Sequence, residues 1–453
     1  VTAPPNEEHT MVNTPPTRIG KVVGASLVGT TIEWYDFFLY GSAAALVFNK
    51  LFFPTEDELT GTLLAFLTYA IGFVARPIGG LVFGHYGDRF GRKRLLVVSL
   101  LMMGGATFLI GLLPTYATLG VGAPLLLTLL RLVQGFALGG EWGGAVLLVS
   151  EHGHARHRGF WASWPQAGAP GGNLLATGVL ALLAAVQPED AFLAWGWRIS
   201  FLLSGVLVLI GLWIRLTVTE SPVFAEALAR QEAAPKAPIL DVLRHHWRDV
   251  LVAIGARLAE NVSYYVITAF ILVYGTTAAG LPKGTVLNAV LIASAVHFVT
   301  IPLWGALSDR LGRRPVYLLG AAGAGAWSFA FFPLVDTASF GLVTLAATVG
   351  LLFHGAMYGP QAAFFSELFA TRMRYSGVSI GYQLASIVAG ALAPIIAVAL
   401  LDAYDASLPI SLYVAASAVL TLIAVAFARE TRDRDLTAVA PTTSRPSQTL
   451  TTQ

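Results

Sequence analysis

The sequence predicts an all-α membrane protein with twelve transmembrane helices in two pseudo-symmetric six-helix bundles, on three observations. Hydrophobic residues make up 55% of the 453 residues and charged ones only 12%, with a mean hydropathy of +0.68. A soluble domain carries about 25% charged residues, so this chain has too little polar surface to face water on all sides. Its apolar residues fall into segments of about 20 or more, the length that crosses a bilayer. Finally, one charged stretch occurs twice: GHYGDRFGRKR (84–94) returns as GALSDRLGRRP (305–315), about half a chain later.

The predicted spans are 20–48, 60–85, 95–113, 122–150, 158–186, 195–216, 249–276, 285–307, 316–334, 340–366, 374–401 and 408–428. Several contain Gly or Pro, which is tolerable where neighbouring helices satisfy the freed backbone groups. The one long connection, 217–248, divides them six and six. The predicted units are thus an N-terminal tail (1–17), a first bundle (18–216), a central loop (217–248), a second bundle (249–429) and a C-terminal tail (430–453). Both tails are polar and Pro- or Thr/Ser-rich and are expected to be disordered and cytoplasmic. Residues 1–17 lack a charged segment followed by a short apolar core and cleavage site, so no secretory signal peptide is expected there.

Lys and Arg set the orientation. With the N-terminus inside, the inner loops hold Arg89, Arg92, Lys93, Arg94, Arg156, Arg158, Arg310, Arg313, Arg314, Arg372 and Arg374. The central loop adds Arg230, Lys236, Arg244 and Arg248. The outer side holds only Lys50, Lys283 and Arg198, beside Glu56, Asp57, Glu58, Asp336 and Asp402. Both termini are therefore expected in the cytoplasm, with the chain in the cell's inner (plasma) membrane.

Composition also excludes function classes. The net charge is only +2 and the basic residues sit in short loops, so no nucleic-acid partner is expected. The absence of cysteine removes disulfides, thiolate metal sites and thiol catalysis. There is no G-x-x-x-x-G-K-[ST] phosphate loop for a primary pump and no H-E-x-x-H for a metalloprotease. An enzyme, a cofactor and a bound metal are not expected.

A second echo strengthens the repeat. Ser150-Glu151 followed by Arg156 and Arg158 matches Ser366-Glu367 followed by Arg372 and Arg374, at equivalent places in each half. Two parallel six-helix halves are one known transporter plan. The doubled inner-loop stretch resembles the signature of the major facilitator superfamily. GTTIEWYDFFLYG (29–41), FVARPIGG (73–80), RLVQGFALGGEWGGA (131–145), GWRISFLLS (196–204), ESPVF (220–224) and the paired SE-x4-R-x-R stretches resemble its metabolite:proton symporter family, which includes shikimate, α-ketoglutarate and proline/betaine transporters. The likeness covers about residues 18–430, and implies a monomer that works by alternating access.

The basic residues of the repeat enforce topology, which leaves its acids and glycines unexplained. The resemblance implies a gate in which Arg89 and Arg92 pair with Glu151 or its span 5 neighbours and Arg310 and Arg313 pair with Glu367, with Asp88, near the inner end of span 2, and its repeat Asp309 as further members. The ion pairs are expected to be exposed, each weakly stabilising, as suits a latch that opens in every cycle.

Ionisable groups inside the spans are costly there and usually functional. They are Glu33, Asp36, Glu141 and Glu260 against Arg76, Arg131 and Arg257, with His297 and His354 read as core polar groups. Glu33 and Asp36 share a helix face, and two close carboxylates disfavour simultaneous ionisation, so a proton held there is plausible. An acid that alternates between an apolar site and a guanidinium takes up and releases a proton. Tyr35-Asp36 resembles the Tyr-Asp pair of proton-coupled sugar porters, whose acid faces an arginine of span 4, here Arg131. Asp36–Arg131 is the expected coupling pair, with a static ion pair as the alternative.

Arg76 lies in the lower third of span 2, where Glu33 or Glu141 is expected to reach it; substrate contact and a structural counter-ion for Glu141 are its two expected roles. Arg257, Asn261, Tyr264 and Tyr265 form a polar stripe, with Glu260 available to neutralise the arginine. Gln134 shares the Arg131 face, Tyr358 and Gln361 follow His354, and Gln383 is placed on span 11. Tyr40 is one of five span 1 aromatics of which one or two could stack on a substrate.

The expected function is proton-coupled import of a small organic anion, such as a di- or tricarboxylate or a shikimate-like or aromatic acid, because fixed guanidinium groups suit carboxylates. The proton serves as coupling ion. The alternatives are a proline or betaine importer and an exporter of the same fold. Exporters of the superfamily tend to carry Gly-Pro-x-x-Gly-Gly in span 5, from which WPQAGAPGGNL departs.

Overall fold

The computed structural model describes residues 19–55, 57–90, 92–139, 149, 155–217, 244, 246–369 and 381–432. Among these there is no strand. The helices are α1 (Ile19–Ala43, continued by a wide turn Ala44–Phe48), α2 (Glu58–Phe90), α3 (Arg92–Leu112) and α4 (Gly122–Leu138). They continue with α5 (Arg158–Val186), α6 (Glu189–Ile214), α7 (Trp247–Thr277), α8 (Lys283–Leu311), α9 (Arg313–Asp336), α10 (Phe340–Leu368), α11 (Gly381–Tyr404) and α12 (Leu408–Phe427).

Nine of the described helices are long and apolar enough to cross a membrane; α3 and α4 contain shorter apolar runs, and α1 carries Glu33 and Asp36 at its middle. These occupy the twelve predicted places. α5 has the predicted limits. α6 starts earlier than predicted, because Pro188 followed by Glu189 and Asp190 suits a helix N-terminus. α8 runs on through the charged repeat until Gly312, whose φ of +102° only glycine adopts readily.

α1 packs on α5, α2 on α4, and α3 on α4 and α6; in the second group α7 packs on α12, α9 on α10 and α12, and α8 on α10. The groups meet where α5 lies against α8 and α10 and where α2 lies against α11. Both group interiors are polar in places, whereas Leu125, Leu209, Trp213, Leu303 and Leu319 are exposed on the outside. This is the reverse of a water-soluble protein and matches helices solvated by lipid.

Glycine motifs become legible as close packing. A Cβ added at Gly135 of α4 would fall on the Gly72 carbonyl oxygen of α2, and one at Gly79 on the Phe136 carbonyl. α2 and α4 therefore touch backbone to backbone, the way small residues join membrane helices. At the end carrying the repeat, Gly159 of α5 and Gly305 of α8 approach each other's carbonyls in the same manner. From α6, Arg198 closes the end of α3 by donating to the Gly111 and Leu113 carbonyls at 2.9 and 2.6 Å.

Candidate functional site

The first cluster lies inside the first helix group. The α2–α4 glycine contact brings Arg131 against α2, where its Nε donates to the Tyr69 carbonyl at 3.4 Å and a Cβ on Gly72 would meet it. Its Nη1 donates to Gln134 Oε1 at 3.0 Å, and Gln134 Nε2 donates to Thr107 Oγ1 at 2.7 Å. The guanidinium carbon lies 4.4 Å from the Tyr40 ring centre, 4.6 Å from that of Tyr69 and 4.7 Å from that of Phe37. Asp36, Phe37, Met103, Arg131, Gln134, Gly135 and Leu138 line a small pocket. Asp36 Oδ1 and Arg131 Nη2 are buried and have no hydrogen-bond partner among the described residues. The expected ion pair is therefore not formed: the two groups share a cavity without closing on each other. Glu33 is buried within electrostatic reach of Asp36. Tyr40 shares a hydrogen bond of 2.7 Å with Thr68, which ties it to this cluster.

Between the groups lies an aromatic layer. Phe37 and Phe73 meet Tyr265 at 6.3 and 5.9 Å between ring centres, and Phe38 meets Tyr264 at 5.4 Å. Arg76 stands over Phe73 and Phe37 at 4.2 and 4.4 Å, within electrostatic reach of Tyr265, Tyr382 and Arg257. Its Nε and Nη2 are buried without partners among the described residues, and it makes no ion pair there. Glu33 thus does not neutralise it. Glu141 lies outside the described residues.

The second group holds the densest polar network. Arg257 Nη2 stands 3.5 Å from Glu260 Oε2, and its guanidinium carbon lies 3.4 Å from the Tyr382 ring centre. Arg257 also donates to Gln361 Oε1 at 3.2 Å and to Asn261 Oδ1 at 3.3 Å. Glu260 Oε2 accepts from Gln361 Nε2 and Asn261 Nδ2 at 3.2 and 3.1 Å. Gln361 Nε2 also donates to the Tyr317 hydroxyl at 3.0 Å. Tyr358 packs its ring on His354 at 5.2 Å. Gln383 instead reaches across the groups, donating to the Gly139 carbonyl at 3.2 Å.

The second copy of the charged repeat forms a buried cluster of charges that joins the two groups. Asp309 accepts from the Gly159 and Phe160 N–H groups at 2.8 and 2.9 Å, so a carboxylate of α8 caps the N-terminus of α5 in the other group. Glu367 Oε1 receives Arg158 at 2.9 Å and Arg313 at 3.1 Å, while its Oε2 receives Arg313 Nε at 3.2 Å and the Thr431 hydroxyl at 2.7 Å. These pairs were expected to be exposed and are buried, with Arg313 and Glu367 both at 0% exposure. Arg310 does not join them. One residue beyond Asp309 it points about 100° away around the helix, its side chain is exposed, and Arg158 takes the place predicted for it. Within the predicted C-terminal tail, Glu430 accepts from the Arg313 and Arg314 N–H groups at 2.9 and 3.0 Å and closes the start of α9. The corresponding Asp88, Arg89 and Arg92 side chains, and Glu151, lie outside the described residues.

The sequence matches the Major Facilitator Superfamily over residues 26–380 and 289–451. It is 43% identical to the inner membrane metabolite transport protein YhjE of Escherichia coli (strain K12) over 95% of this chain and 98% of that one. The chain belongs to the Major Facilitator Superfamily. It is also 42% identical to the shikimate transporter of the same organism, over 87% of this chain and 92% of the other. Among solved structures, this Major Facilitator chain matches a D-xylose-proton symporter with a TM-score of 0.73 at 19% identity, over 92% of this chain and 99% of that one. It is accordingly a multi-pass membrane transporter of small molecules and not an enzyme.

Within this Major Facilitator chain, four functional candidates escaped sequence reasoning. His297 and His354, read as core polar groups, connect to Glu260. Gln166 of α5 approaches Gln361, and Asn173 of α5 donates to Ser294 of α8 at 2.9 Å. Their signal is weak in a sequence, since single polar residues in spans mostly serve helix packing.

Proposed function

We propose that this transporter is a proton-coupled symporter that imports a small organic anion by alternating access, with the proton as coupling ion and no cofactor. The observation that carries the reading is Arg76: a buried guanidinium at the junction of the two helix groups, with unpartnered N–H groups and no ion pair among the described residues. A buried charge without a partner is strongly unfavourable, and a carboxylate supplied by the substrate would satisfy it. In this reading Arg257, Asn261, Tyr264, Tyr265, Tyr358 and Gln361 complete the substrate site on the opposite side, and Gln383 bridges the two groups. Asp36 exchanges the proton, with Glu33 and Arg131 as its neighbours. The latch at Asp309 and Glu367 opens in the inward-facing form.

The names of the relatives, a metabolite transporter and a shikimate transporter, agree with an acid as cargo, and the match to a proton symporter agrees with proton coupling. In this reading residues 18–216 and 249–429 rock as two units in the inner membrane, with both termini cytoplasmic and one chain sufficient. Uptake of labelled carboxylates into proteoliposomes, with and without an imposed proton gradient, tests it. Shikimate-like or carboxylate cargo should accumulate only with the gradient; a preference for betaine or proline over every acid would overturn the anion reading.

A further inference from the structure

Glu260, His354 and His297 form an unbroken line of polar contacts from α7 through α10 to α8. Glu260 Oε1 lies 3.3 Å from His354 Nε2, and His354 Nδ1 lies 2.9 Å from His297 Nε2. At the far end His297 Nδ1 is buried without a hydrogen-bond partner among the described residues. All three side chains are buried. At the near end Glu260 Oε2 stands 3.5 Å from Arg257 Nη2.

The lone pairs restrict how this line can be protonated. An ionised carboxylate only accepts, so it takes the His354 Nε2–H. The Nδ1 of a neutral His354 then accepts, which requires His297 to donate from Nε2 and leaves its Nδ1 as a bare lone pair. In the alternative state Glu260 is protonated and donates to His354 Nε2, His354 donates from Nδ1 to His297 Nε2, and His297 carries its hydrogen on Nδ1. The two states differ by one proton. An N–H bond forms at His297 Nδ1 as one breaks at its Nε2; another forms at His354 Nδ1 as one breaks at its Nε2; an O–H bond forms at Glu260 Oε1. Each bond broken supplies the next one formed, and the reverse sequence releases the proton.

The groups that face this line are Arg257, Tyr264 and Tyr265 from α7, Tyr317 from α9 and Tyr358 from α10, with Tyr382 of α11 over Arg257. Arg257 is the only cation among them. An anion drawn to Arg257 competes with Glu260 for the guanidinium, and a Glu260 deprived of its counter-ion favours the protonated state.

We propose that Glu260, His354 and His297 form a second proton-carrying site, separate from the Asp36 cavity, loaded through His297 Nδ1 and triggered when an anionic substrate engages Arg257. The trigger rests on the organic-anion reading above; the relay does not.

Infrared titration of the full chain in lipid, following the protonated-carboxyl band without substrate, tests the relay. The expected result is a component that Glu260→Gln removes and Asp36→Asn leaves, with its midpoint moved by about one pH unit in His354→Gln and His297→Gln. Where His297→Gln does not fold, His297→Asn replaces it. Lack of a Glu260-dependent component, or unmoved midpoints in both histidine variants, overturns the relay. Proton uptake on adding shikimate, read with a pH dye, tests the trigger: it should fall about tenfold in Glu260→Gln, and equal uptake in the variant overturns it. If no carboxylate binds the unaltered protein, the anion reading fails while the infrared result still decides the relay.

Discussion

Asp36 and Arg131 share the wall of one small cavity, each with a buried polar atom that has no partner among the described residues, and no ion pair joins them. A static lock between α1 and α4 would have closed that gap. Breaking a buried ion pair typically costs about 3–5 kcal/mol, and Asp36→Asn removes no such pair. The variant is therefore expected to fold and to lose gradient-driven accumulation in proteoliposomes, with counterflow falling far less. Loss of folded protein on size exclusion would instead make Asp36 structural.

Arg76 carries a prediction about affinity. A charge-assisted hydrogen bond to a carboxylate contributes about 1.5–3 kcal/mol, so Arg76→Gln should raise the KM for an acidic substrate by about ten- to a hundredfold. A KM within about twofold of the original would remove Arg76 from the binding site.

The latch predicts a change in accessibility. Glu367→Gln would leave the buried Arg158 without its carboxylate and Arg313 with Asp309 alone. Asp309→Asn would weaken the cap on α5, an effect of about 1 kcal/mol, and would also remove the carboxylate charge 2.8 Å from Arg313, which keeps Glu367. Both variants should favour the form open at the repeat-bearing end, the first more strongly. Labelling of single cysteines placed on the two membrane faces measures this, and an unaltered pattern would exclude a gating role.

The α2–α4 contact predicts a loss of stability. Gly135→Ala places a methyl group on the Gly72 carbonyl, and relief requires both backbones to move apart. Overpacking of this sort costs about 1–3 kcal/mol or more. A lowered melting temperature by fluorescence-detected size exclusion is expected, with transport reduced as Arg131 shifts with its helix. A melting point equal to the original protein's would refute the contact.

Glu430 predicts a dependence on acid. Burial alone would push its carboxyl up, but backbone N–H donors from Arg313, Arg314, Arg432 and Thr431 hold it below its ordinary value of 4.5. A group held low in the folded state stabilises above its unfolded pKa, and that contribution disappears as pH falls through the folded value. The melting temperature should therefore drop below about pH 4, and Glu430→Gln should be less stable at neutral pH and lose part of that drop. Parallel curves for the two proteins would show that Glu430 plays no such role.

The twelve helical places, their six-and-six grouping and the glycine-rich motifs were legible in the sequence because lipid demands long apolar segments and their lengths and repeats lie along the chain. So was the list of buried charges, since each is conspicuous among apolar neighbours. Which of them meet was not legible. Helical spacing relates Arg257 to Glu260 and Asp309 to Arg313, but Glu260 meets His354 and His297, and Arg158 meets Glu367, only because distant helices cross there. Whether Asp36 touches Arg131 turns on a gap within one cavity, and whether the latch is exposed turns on how closely Gly159 and Gly305 let α5 and α8 approach. The sequence alone determined what the membrane must solvate; the packing of helices against one another decided which charges meet and, among the described residues, which buried polar atoms are left without a partner.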